Sequence, residues 1–443
     1  MKHSRKSAQK KYRHSLLAAL SQILKAPSAP NPDPSDPVAK RSPRRWQPML
    51  LVWTALLMAW DGGASLAEQF DAAKAAVIQM FYSLKRPGKT YQGFVKAMAV
   101  RGAMLLDRLC AHLRQHVRSM ESCWTVEGIN AFAADGSRVE CPRTAANQAH
   151  LKCAGREKTG PQLSLTTLYH MGSGCMWDYR VGPGIEDETV HLRSMLATLP
   201  PGATIVADAG FIGYQLLRDI LGSGRHILFR VGSNVTLLRK LGYVQVEDDS
   251  RVYLWPGKAQ KARQQPIALR LIVVQGQHPV YLVTDLAPEA LSFEQAAVLY
   301  RLRWGIEVFY RGLKQTLKHR KMRSRAPSQA AMELKWAVAA LWVLSVRGAQ
   351  ELVARGKNPR SLSIALARKL FRQAMAQRCR RGADLGRQLG AAVKDEYVRH
   401  GAKASRDWPR KKKQCPPGAP KIQVAGPKQL LRIQELLKNN QAA

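Results

Sequence analysis

Hydrophobic positions are spaced as in helices near both ends of the chain. Residues 48–120 carry apolar side chains three and four positions apart, with almost none of the alternation typical of strands, and residues 328–395 follow the same spacing. Ser65 stands three residues before Glu68, a capping-box pattern that begins one of these helices. Both regions are therefore predicted to be helical.

The middle of the chain changes to short apolar runs. We predict buried strands in "INAFAADGS", which stops at Asp135, in "ATIVADAGF", which ends at Asp208, and in "HILFRV". Two further strands, "QLSLTTLYHM" and "CMWDYRVG", are predicted to pair through a turn at Gly172–Gly174, and helices are predicted in "EDETVHLRSMLATLP" and "GYQLLRDILGSG". This order predicts a mixed sheet covered by helices, in the α/β (mixed α+β) class.

Residues 232–290 alternate as antiparallel strands, and a long helix is predicted from about 292 to 319. Four side chains along this helix stand at relative positions 0, 3, 7 and 14; they are Tyr300, Arg303, Glu307 and Lys314. Because each residue turns a helix by about 100°, the four are expected within an arc of about 60° beside the buried stripe. One acid is thus predicted among an aromatic ring and two cations.

The charge balance narrows the choice of partner. Lys and Arg total 70 against 31 Asp and Glu, a formal net charge of +39, and basic residues run from the first ten positions to "RKKK" at 410–413. Nucleic acid is the first candidate partner, because phosphate neutralisation releases counterions and drives binding. An anionic membrane surface is the second candidate, and a ribosome-like structural role is the third.

The cysteines and the apolar runs predict the cellular compartment of the protein. The seven cysteines form an odd set with no C-x-x-C pair, which argues against a zinc site and a disulfide framework and favours a reducing cytosol. The most apolar run, "PMLLVWTALLMAW", is too short to span a bilayer, and the first residues lack a signal-peptide pattern. A cytoplasmic protein without a membrane partner is expected.

Three acids are candidates for chemistry. Asp135 and Asp208 follow predicted strands, where functional groups gather, and small residues after each acid let a polyanion approach. No sequence neighbour neutralises either acid, and Glu307 adds a third carboxylate. Three carboxylates around one point need a cation, and hard oxygen ligands favour Mg²⁺ or Mn²⁺, which can activate a water or a 3′-hydroxyl for displacement at phosphorus.

Ordinary structural roles are the alternative for each acid. An Asp before Gly at a strand end is most often a turn residue, and Glu307 among cations is more often in an ion pair with Arg303 or Arg311. A structural role is favoured for any one of the acids taken alone. The joint arrangement of the three favours a site.

The spacing Y-x2-R-x3-E-x6-K, formed by Tyr300, Arg303, Glu307 and Lys314, resembles the signature of the insertion-sequence-four family of DDE transposases. The strings "DGS" and "DAGF" resemble the first and second aspartate motifs of that family, and "TYQGFVKAM" at 90–98 resembles a stretch upstream of its catalytic domain. The resemblance covers roughly residues 60–350. It implies an RNase H-like catalytic core with a β insertion between the second aspartate and the glutamate.

The resemblance also implies roles for individual residues. Asp135, Asp208 and Glu307 would be the catalytic acids and bind Mg²⁺ or Mn²⁺, while Tyr300, Arg303 and Lys314 would contact the transposon end. Some family members form a DNA hairpin and stack a flipped base on a tryptophan of the insertion. Trp255 is the candidate for that role, although a Trp before Pro-Gly also suits a turn anchor; Arg230 is a candidate phosphate contact, with a surface cation as the alternative.

The predicted organisation and function follow from these features. We expect a basic arm and Pro-rich linker at 1–47, a helical DNA-binding region at 48–125, a catalytic domain at 126–325 with a β insertion at about 232–290, a helical region at 326–400, and a loose basic tail at 401–443. The predicted activity is that of a DNA transposase, which cleaves double-stranded DNA at terminal inverted repeats and joins the 3′ ends to target DNA as a synapsed homodimer. The alternatives are an RNase H-like nuclease without strand transfer and a non-catalytic DNA-binding repressor.

Overall fold

The chain folds into two compact units. The computed structural model describes residues 46–61, 63, 65–81, 87–153, 160–245, 248–376, 385–394 and 418–441. The helical unit comprises the described residues of Met1–Trp124, Gly136–Glu188 and Gly305–Lys394, and the sheet unit comprises those of Thr125–Asp135, Thr189–Trp304 and Asp395–Ala443. The predicted basic arm and Pro-rich linker lie almost entirely outside the described residues.

Long apolar helices form the core of the helical unit. Helix α1 (Pro48–Trp60) is apolar on every side, and its residues from Leu50 to Trp60 are all buried, as expected for a helix without a polar face. The indole Nε1 of Trp60 donates a hydrogen bond to the backbone oxygen of Ala340 in α10 (Pro327–Val353) at 3.0 Å. The helices of this unit are α1 (Pro48–Trp60), α2 (Leu66–Met80), α3 (Tyr91–Arg118), α4 (Ala145–Leu151), α9 (Gly305–Arg311), α10 (Pro327–Val353), α11 (Ile364–Ala376) and α12 (Leu385–Leu389).

Several local predictions for this unit are confirmed. Ser65 and Glu68 form the capping box at the start of α2. Strands β2 (Gln162–His170) and β3 (Cys175–Pro183) pair in the antiparallel sense, and Gly174 in their turn has φ +69°, a conformation that favours glycine. Strand β1 (Ala131–Glu140) contributes its first residues to the sheet unit and its last residues to the helical unit, where the strand order is β1-β2-β3.

The sheet unit combines parallel and antiparallel strands with helices between them. Its strands and helices are β4 (Thr204–Ala207), β5 (His226–Val231), β6 (Thr236–Arg239), β7 (Arg251–Leu254), β8 (Ile267–Val274), β9 (Val280–Thr284), β10 (Lys421–Val424), α5 (Glu188–Met195), α6 (Tyr214–Gly222), α7 (Gly257–Lys261), α8 (Phe293–Leu302) and α13 (Pro427–Gln441). The strand order is β10-β6-β7-β8-β9-β5-β4-β1. Strands β1, β4 and β5 run parallel, and β9 is antiparallel to β5. The antiparallel strands predicted for residues 232–290 are present as β6 to β9.

The loose basic tail is wrong as a prediction for residues 418–441. Strand β10 pairs in parallel with β6, and helix α13 follows it. Ala425 and Ile433 are buried in the same apolar cluster as Leu238, Tyr253 and Trp255. Although the segment is basic in composition, its few apolar residues are spaced so that they pack in the sheet unit.

The long helix predicted for residues 292–319 is also wrong, because it is divided into three pieces. Helix α8 ends at Leu302, α9 begins at Gly305, and Gly312–Thr316 form a π-helical turn. A Cβ added at Gly305 would lie 2.8 Å from the buried Tyr169 ring of β2, so the chain needs glycine where α9 meets this strand. The uniform turn of 100° per residue therefore does not hold from Tyr300 to Lys314.

The mixed α/β class is confirmed, with a large mixed sheet and helical regions on both sides of it in the chain. This arrangement is consistent with the RNase H-like core implied by the sequence. Among the described helices, none combines the length and the apolar character needed to cross a membrane.

Candidate active site

Asp135 and Asp208 lie side by side on neighbouring parallel strands of the sheet unit. Ala134 of β1 is paired with Ala207 of β4, and each acid is the next residue along the chain. Adjacent strands are about 4.8 Å apart, so the two backbones bring both half-buried carboxylates to the same edge. The predicted strand end is confirmed for Asp208, whereas β1 continues past Asp135 to Glu140.

The Asp208 carboxylate has three donors around it. It accepts hydrogen bonds from the backbone N–H of Ala209 at 2.8 Å and from the phenol of Tyr300 at 3.2 Å, and the Arg230 guanidinium lies 3.9 Å away. The Asp208 side chain is still 41% exposed. No atom within the described residues lies within 4 Å of a Cβ added at Gly210, so space remains beside the acid.

These contacts correct two expectations from the sequence. Asp208 lacks a neutralising neighbour in sequence, but the fold supplies Arg230 from β5 and Tyr300 from α8. Arg230 is not an ordinary surface cation either, because its side chain is only 15% exposed and faces the carboxylate. Its functional role as a phosphate contact stays a prediction.

Tyr300 links Asp208 to a second cation. The guanidinium carbon of Arg303 lies 5.5 Å from the centre of the Tyr300 ring, within the range of a cation–π contact, and Arg303 is buried. Burial is the main cause that raises the pKa of the Tyr300 phenol, and the nearby Asp208 charge adds to it, while Arg303 and Arg230 oppose the shift. The phenol therefore stays protonated at neutral pH and can donate a hydrogen bond.

The residues that follow Asp135 belong to the helical unit and have their own partners. A Cβ added at Gly136 would lie 2.0 Å from the carboxyl carbon of Glu188, so the absent side chain makes room for that acid. Arg138 contacts Glu188 at 2.7 Å and also donates a hydrogen bond to the Ser164 hydroxyl. The small residue after Asp135 thus accommodates a protein carboxylate, unlike the open position at Gly210.

Glu307 and Lys314 also lie in the helical unit, and both are half-buried. Glu307 is in the first turn of α9, next to the buried Ile306. The Lys314 ammonium, in the π-helical turn, donates a hydrogen bond to the Ser137 hydroxyl at 2.7 Å. Ser137 is two residues after Asp135 on β1, which is the position that shares a face of the strand with that acid.

The donor chemistry at Asp135 and Asp208 fits a hard divalent cation. Carboxylate oxygens are the ligands that Mg²⁺ and Mn²⁺ prefer, and neighbouring parallel strands supply two of them. Within the described part of the chain, no three His, Cys, Asp or Glu side chains are grouped so that they could hold a metal ion. The participation of Glu307 as a third ligand stays a prediction.

Trp255 does not agree with the base-stacking expectation. The side chain is 2% exposed, it packs in the apolar cluster that contains Tyr253 and Ile433, and its Nε1 donates to the backbone oxygen of Gln264 at 2.7 Å. A ring buried on both faces cannot receive a flipped base, so the turn-anchor interpretation fits better. Trp304, which follows Arg303, is 55% exposed, so its ring has the exposed surface for base stacking that the Trp255 ring lacks.

A basic loop at residues 317–326 was missed by the sequence reasoning. His319, Met322 and Ser324 are buried, while four cations between them are exposed; these are Lys318, Arg320, Lys321 and Arg325. The four exposed cations form no ion pair with any described residue. The loop borders a groove of about 790 Å³ in the helical unit. The alternation of buried and basic residues in "LKHRKMRSRA" was the available signal.

The backbone of this basic loop is held by hydrogen bonds from several directions. Met322 donates its N–H to the backbone oxygen of Glu140 at 2.8 Å, and the N–H groups of Arg323 and Ser324 donate to the half-buried Glu333 carboxylate at 3.0 and 2.9 Å. Thr144 donates its hydroxyl to the backbone oxygen of Arg325 at 2.8 Å. The exposed cations therefore project from a backbone that does not depend on them.

Comparison with known proteins identifies a transposase-like domain in this chain. Residues 127–343 match the family model described as "Transposase DDE domain". The transposase InsG for insertion sequence element IS4 of Escherichia coli (strain K12) is 26% identical over 228 residues, which cover 48% of this chain and 50% of that protein. A putative transposase, InsZ, of the same organism is 28% identical over 136 residues, which cover 29% of this chain and 45% of that protein.

The matched region therefore spans about half the length of these curated relatives. A cryo-EM structure of the piggyBac transposase synaptic complex with hairpin DNA aligns over 92% of this chain and 91% of that chain, with 10% identity and a TM-score of 0.40. The domain match and the two relatives lead to one conclusion: residues 127–343 match a transposase DDE domain, and the chain is similar to transposases of bacterial insertion sequences.

Proposed function

We propose that this protein is a DNA transposase that cleaves phosphodiester bonds at the terminal inverted repeats of an insertion sequence and joins the 3′ ends to target DNA. The observation that carries the proposal is the placement of Asp135 and Asp208 directly after a paired Ala134 and Ala207 on parallel strands, inside a DDE domain. Two acids on neighbouring strands repel each other unless a cation shares them. Such a pair suits metal-assisted chemistry at phosphorus.

Asp135, Asp208 and Glu307 are the proposed ligands for Mg²⁺ or Mn²⁺. When bound, such cations polarise a phosphodiester and activate a water or a 3′-hydroxyl. The proposed contribution of the three side chains is to hold negative charge at fixed positions, which is why the amide of Asn or Gln should not replace them. Glu307 is included because its position in the Y-x2-R-x3-E-x6-K spacing resembles that of the family's catalytic glutamate.

Tyr300, Arg230 and Arg303 are proposed to orient the DNA backbone beside Asp208. The phenol of Tyr300 and the guanidinium of Arg230 already surround this carboxylate, at 3.2 and 3.9 Å. Both groups are hydrogen-bond donors that now face the Asp208 carboxylate, so a phosphate oxygen that approaches a cation held by Asp208 would find two donors there. Arg303 supports Tyr300 through its contact with the ring.

The basic loop and Lys314 are proposed to bind the DNA backbone from the helical unit. Four exposed cations within eight residues, on a backbone fixed by hydrogen bonds, form a surface that attracts consecutive phosphates. The four loop cations form no ion pair with any described residue, so DNA can bind them without breaking an ion pair in that part of the protein. A homodimer on paired ends is proposed as well, since joining two ends requires two active sites.

Two other functions keep the same fold. A nuclease would cut DNA without joining it, and a repressor would bind DNA ends without cutting them. A strand-transfer assay with DNA from the flanks of the gene separates the three functions, because only a transposase yields joined products in Mg²⁺. The Asp208→Asn variant should bind these ends and lose both cleavage and joining.

The matched control is Asp249→Asn, which removes the same charge from an exposed loop of the sheet unit. This control should retain both cleavage and joining. Nicks without joined products would favour the nuclease, and binding without nicks in the unchanged protein would favour the repressor. Cleavage by Asp208→Asn near the rate of the unchanged protein would remove Asp208 from the site.

A further inference from the structure

A pair of histidines lies on helix α3, away from the residues assigned to DNA chemistry. His112 and His116 are four residues apart, so they stand one above the other on the same face of the helix. Their Nε2 atoms are 3.2 Å apart, and their ring centres are 4.6 Å apart with an interplanar angle of 84°. Both side chains are half-buried, and their Nε2 atoms face each other across one helical turn.

The separation of the two nitrogens is close to that of two ligands on one metal ion. Histidine nitrogens bind Zn²⁺ at about 2.0–2.1 Å, and a tetrahedral angle then places two such nitrogens about 3.4 Å apart. The spacing of four residues is also the one by which a helix presents two histidines to one zinc ion. A shift of a few tenths of an ångström would accommodate a metal at this position.

Gln350 of helix α10 supplies the second requirement, which is control of the ring orientation. Its side-chain amide nitrogen Nε2 lies 3.0 Å from Nδ1 of His116. The amide oxygen and nitrogen can exchange places by a flip, and the oxygen then accepts a hydrogen bond from Nδ1–H. That tautomer leaves the Nε2 lone pair of His116 for a metal, which is how outer partners orient metal-binding histidines.

We propose that His112 and His116 form a binding site for a late first-row transition-metal cation such as Zn²⁺, oriented by Gln350. Imidazole nitrogen suits Zn²⁺, Ni²⁺ and Cu²⁺, whereas Mg²⁺ prefers oxygen ligands. No third His, Cys, Asp or Glu joins the pair among the residues that the structure describes, so water completes the coordination. The metal would bridge one turn of α3 beside its contact with α10. This site is independent of the proposed DNA chemistry.

An N–H···N hydrogen bond between the two rings is the competing explanation for their short distance. In that case one Nε2 carries a proton and the pair has no tendency to bind metal at neutral pH. The two explanations predict different responses to zinc and to the orientation of Gln350, so binding measurements can separate them.

The test is calorimetric titration of ZnCl₂ into the untagged, metal-free full-length protein at neutral pH. We expect one equivalent of Zn²⁺ to bind, with at least tenfold weaker binding in His112→Ala and in His116→Ala. Removal of an outer partner typically weakens metal binding by about 10- to 100-fold, so Gln350→Ala should weaken it while Gln350→Glu should strengthen it. MgCl₂ should give no heat from this site.

The control variant is His150→Ala, which removes an exposed histidine from another helix and should leave zinc binding unchanged. Alanine is the best helix former, so the substitutions on α3 should preserve the fold, and thermal melts without metal verify this. Zinc binding that is equal in all variants would place the metal elsewhere and overturn the proposal. Absence of any zinc binding to the unchanged protein would also overturn it and leave the hydrogen bond as the explanation.

Discussion

Removal of three cations from the basic loop should weaken DNA binding by a predictable amount that depends on salt. The variant combines Lys318→Ala, Arg320→Ala and Lys321→Ala, all of which change exposed side chains. Each phosphate contact contributes about 0.9 to the slope of log affinity against log salt concentration, so three contacts contribute about 2.7. Between 50 and 200 mM salt, the unchanged protein should therefore lose about 40-fold more affinity than the variant loses.

The structure also explains why this variant should fold. The loop is held by backbone hydrogen bonds to Glu140, Thr144 and Glu333, and by the buried side chains of His319 and Met322, none of which is changed. Fluorescence anisotropy with a labelled duplex at four salt concentrations gives the slope. Thermal melts of both proteins establish that the loss of binding is not a loss of fold.

A matched control removes the same charge from the sheet unit. It combines Lys258→Ala, Lys261→Ala and Arg263→Ala, which again are two lysines and one arginine, all exposed. Each set contains one residue with positive φ, which is Arg263 at 51° in the control and Lys318 at 62° in the loop. Alanine at that position should therefore destabilise the two variants to a similar extent. An equal change of slope in both variants would show that net charge alone matters. A change below one unit in the loop variant would refute the assigned phosphate contacts.

Three further predictions concern single residues. Glu307→Gln should keep DNA-end binding and abolish cleavage in Mg²⁺, because the amide keeps the shape but not the charge; cleavage near the normal rate would exclude Glu307 from the site. Arg303→Ala and Lys314→Ala should each reduce the salt slope by about one unit, and an unchanged slope would mean that these cations serve protein contacts only. Burial lowers the pKa of His319 from 6.5 to about 4, so the stability that comes from its neutral form is complete above pH 6.5 and falls as the pH drops toward 4. Between pH 7 and pH 5 this group should lower the free energy of unfolding by roughly 2 kcal/mol. Urea unfolding of His319→Gln at both pH values should show a loss smaller by that amount, and an equal loss in the variant and the unchanged protein would refute the assignment.

The sequence predicted the strands that carry the two aspartates because their apolar runs are short, continuous and bounded by turn residues. The order of strands and helices predicted a mixed sheet, but the parallel pairing of β1 with β4 is known only from the structure. The continuation of β1 beyond Asp135 was not predictable, because Gly136 reads as a turn residue until Glu188 is known to occupy the space above it. A single sequence contains no sign of that distant contact.

The neighbours of Asp208 were hidden for a similar reason. Arg230 and Tyr300 are 22 and 92 residues further along the chain, and only the parallel pairing of β4 with β5 and the position of α8 bring them to the carboxylate. Burial of Trp255 likewise depends on α13, whose segment was predicted to be a loose tail. Local pattern identifies such residues as candidates, but it does not reveal which partners surround them.

The division of the predicted long helix changes how the Y-x2-R-x3-E-x6-K spacing should be understood. Sequence periodicity assigns its four residues to one face of one helix, yet the helix breaks between Leu302 and Gly305 and widens in the π-helical turn. Tyr300 and Arg303 contact each other in the sheet unit, and Tyr300 contacts Asp208. Lys314 instead contacts Ser137 in the helical unit. The spacing therefore encodes two local groups of contacts, each tied to the strand residues of one aspartate motif. Gly305 lies between Arg303 and Glu307 in the chain, so the step of four residues between them includes the glycine that the close approach of α9 to the Tyr169 ring requires.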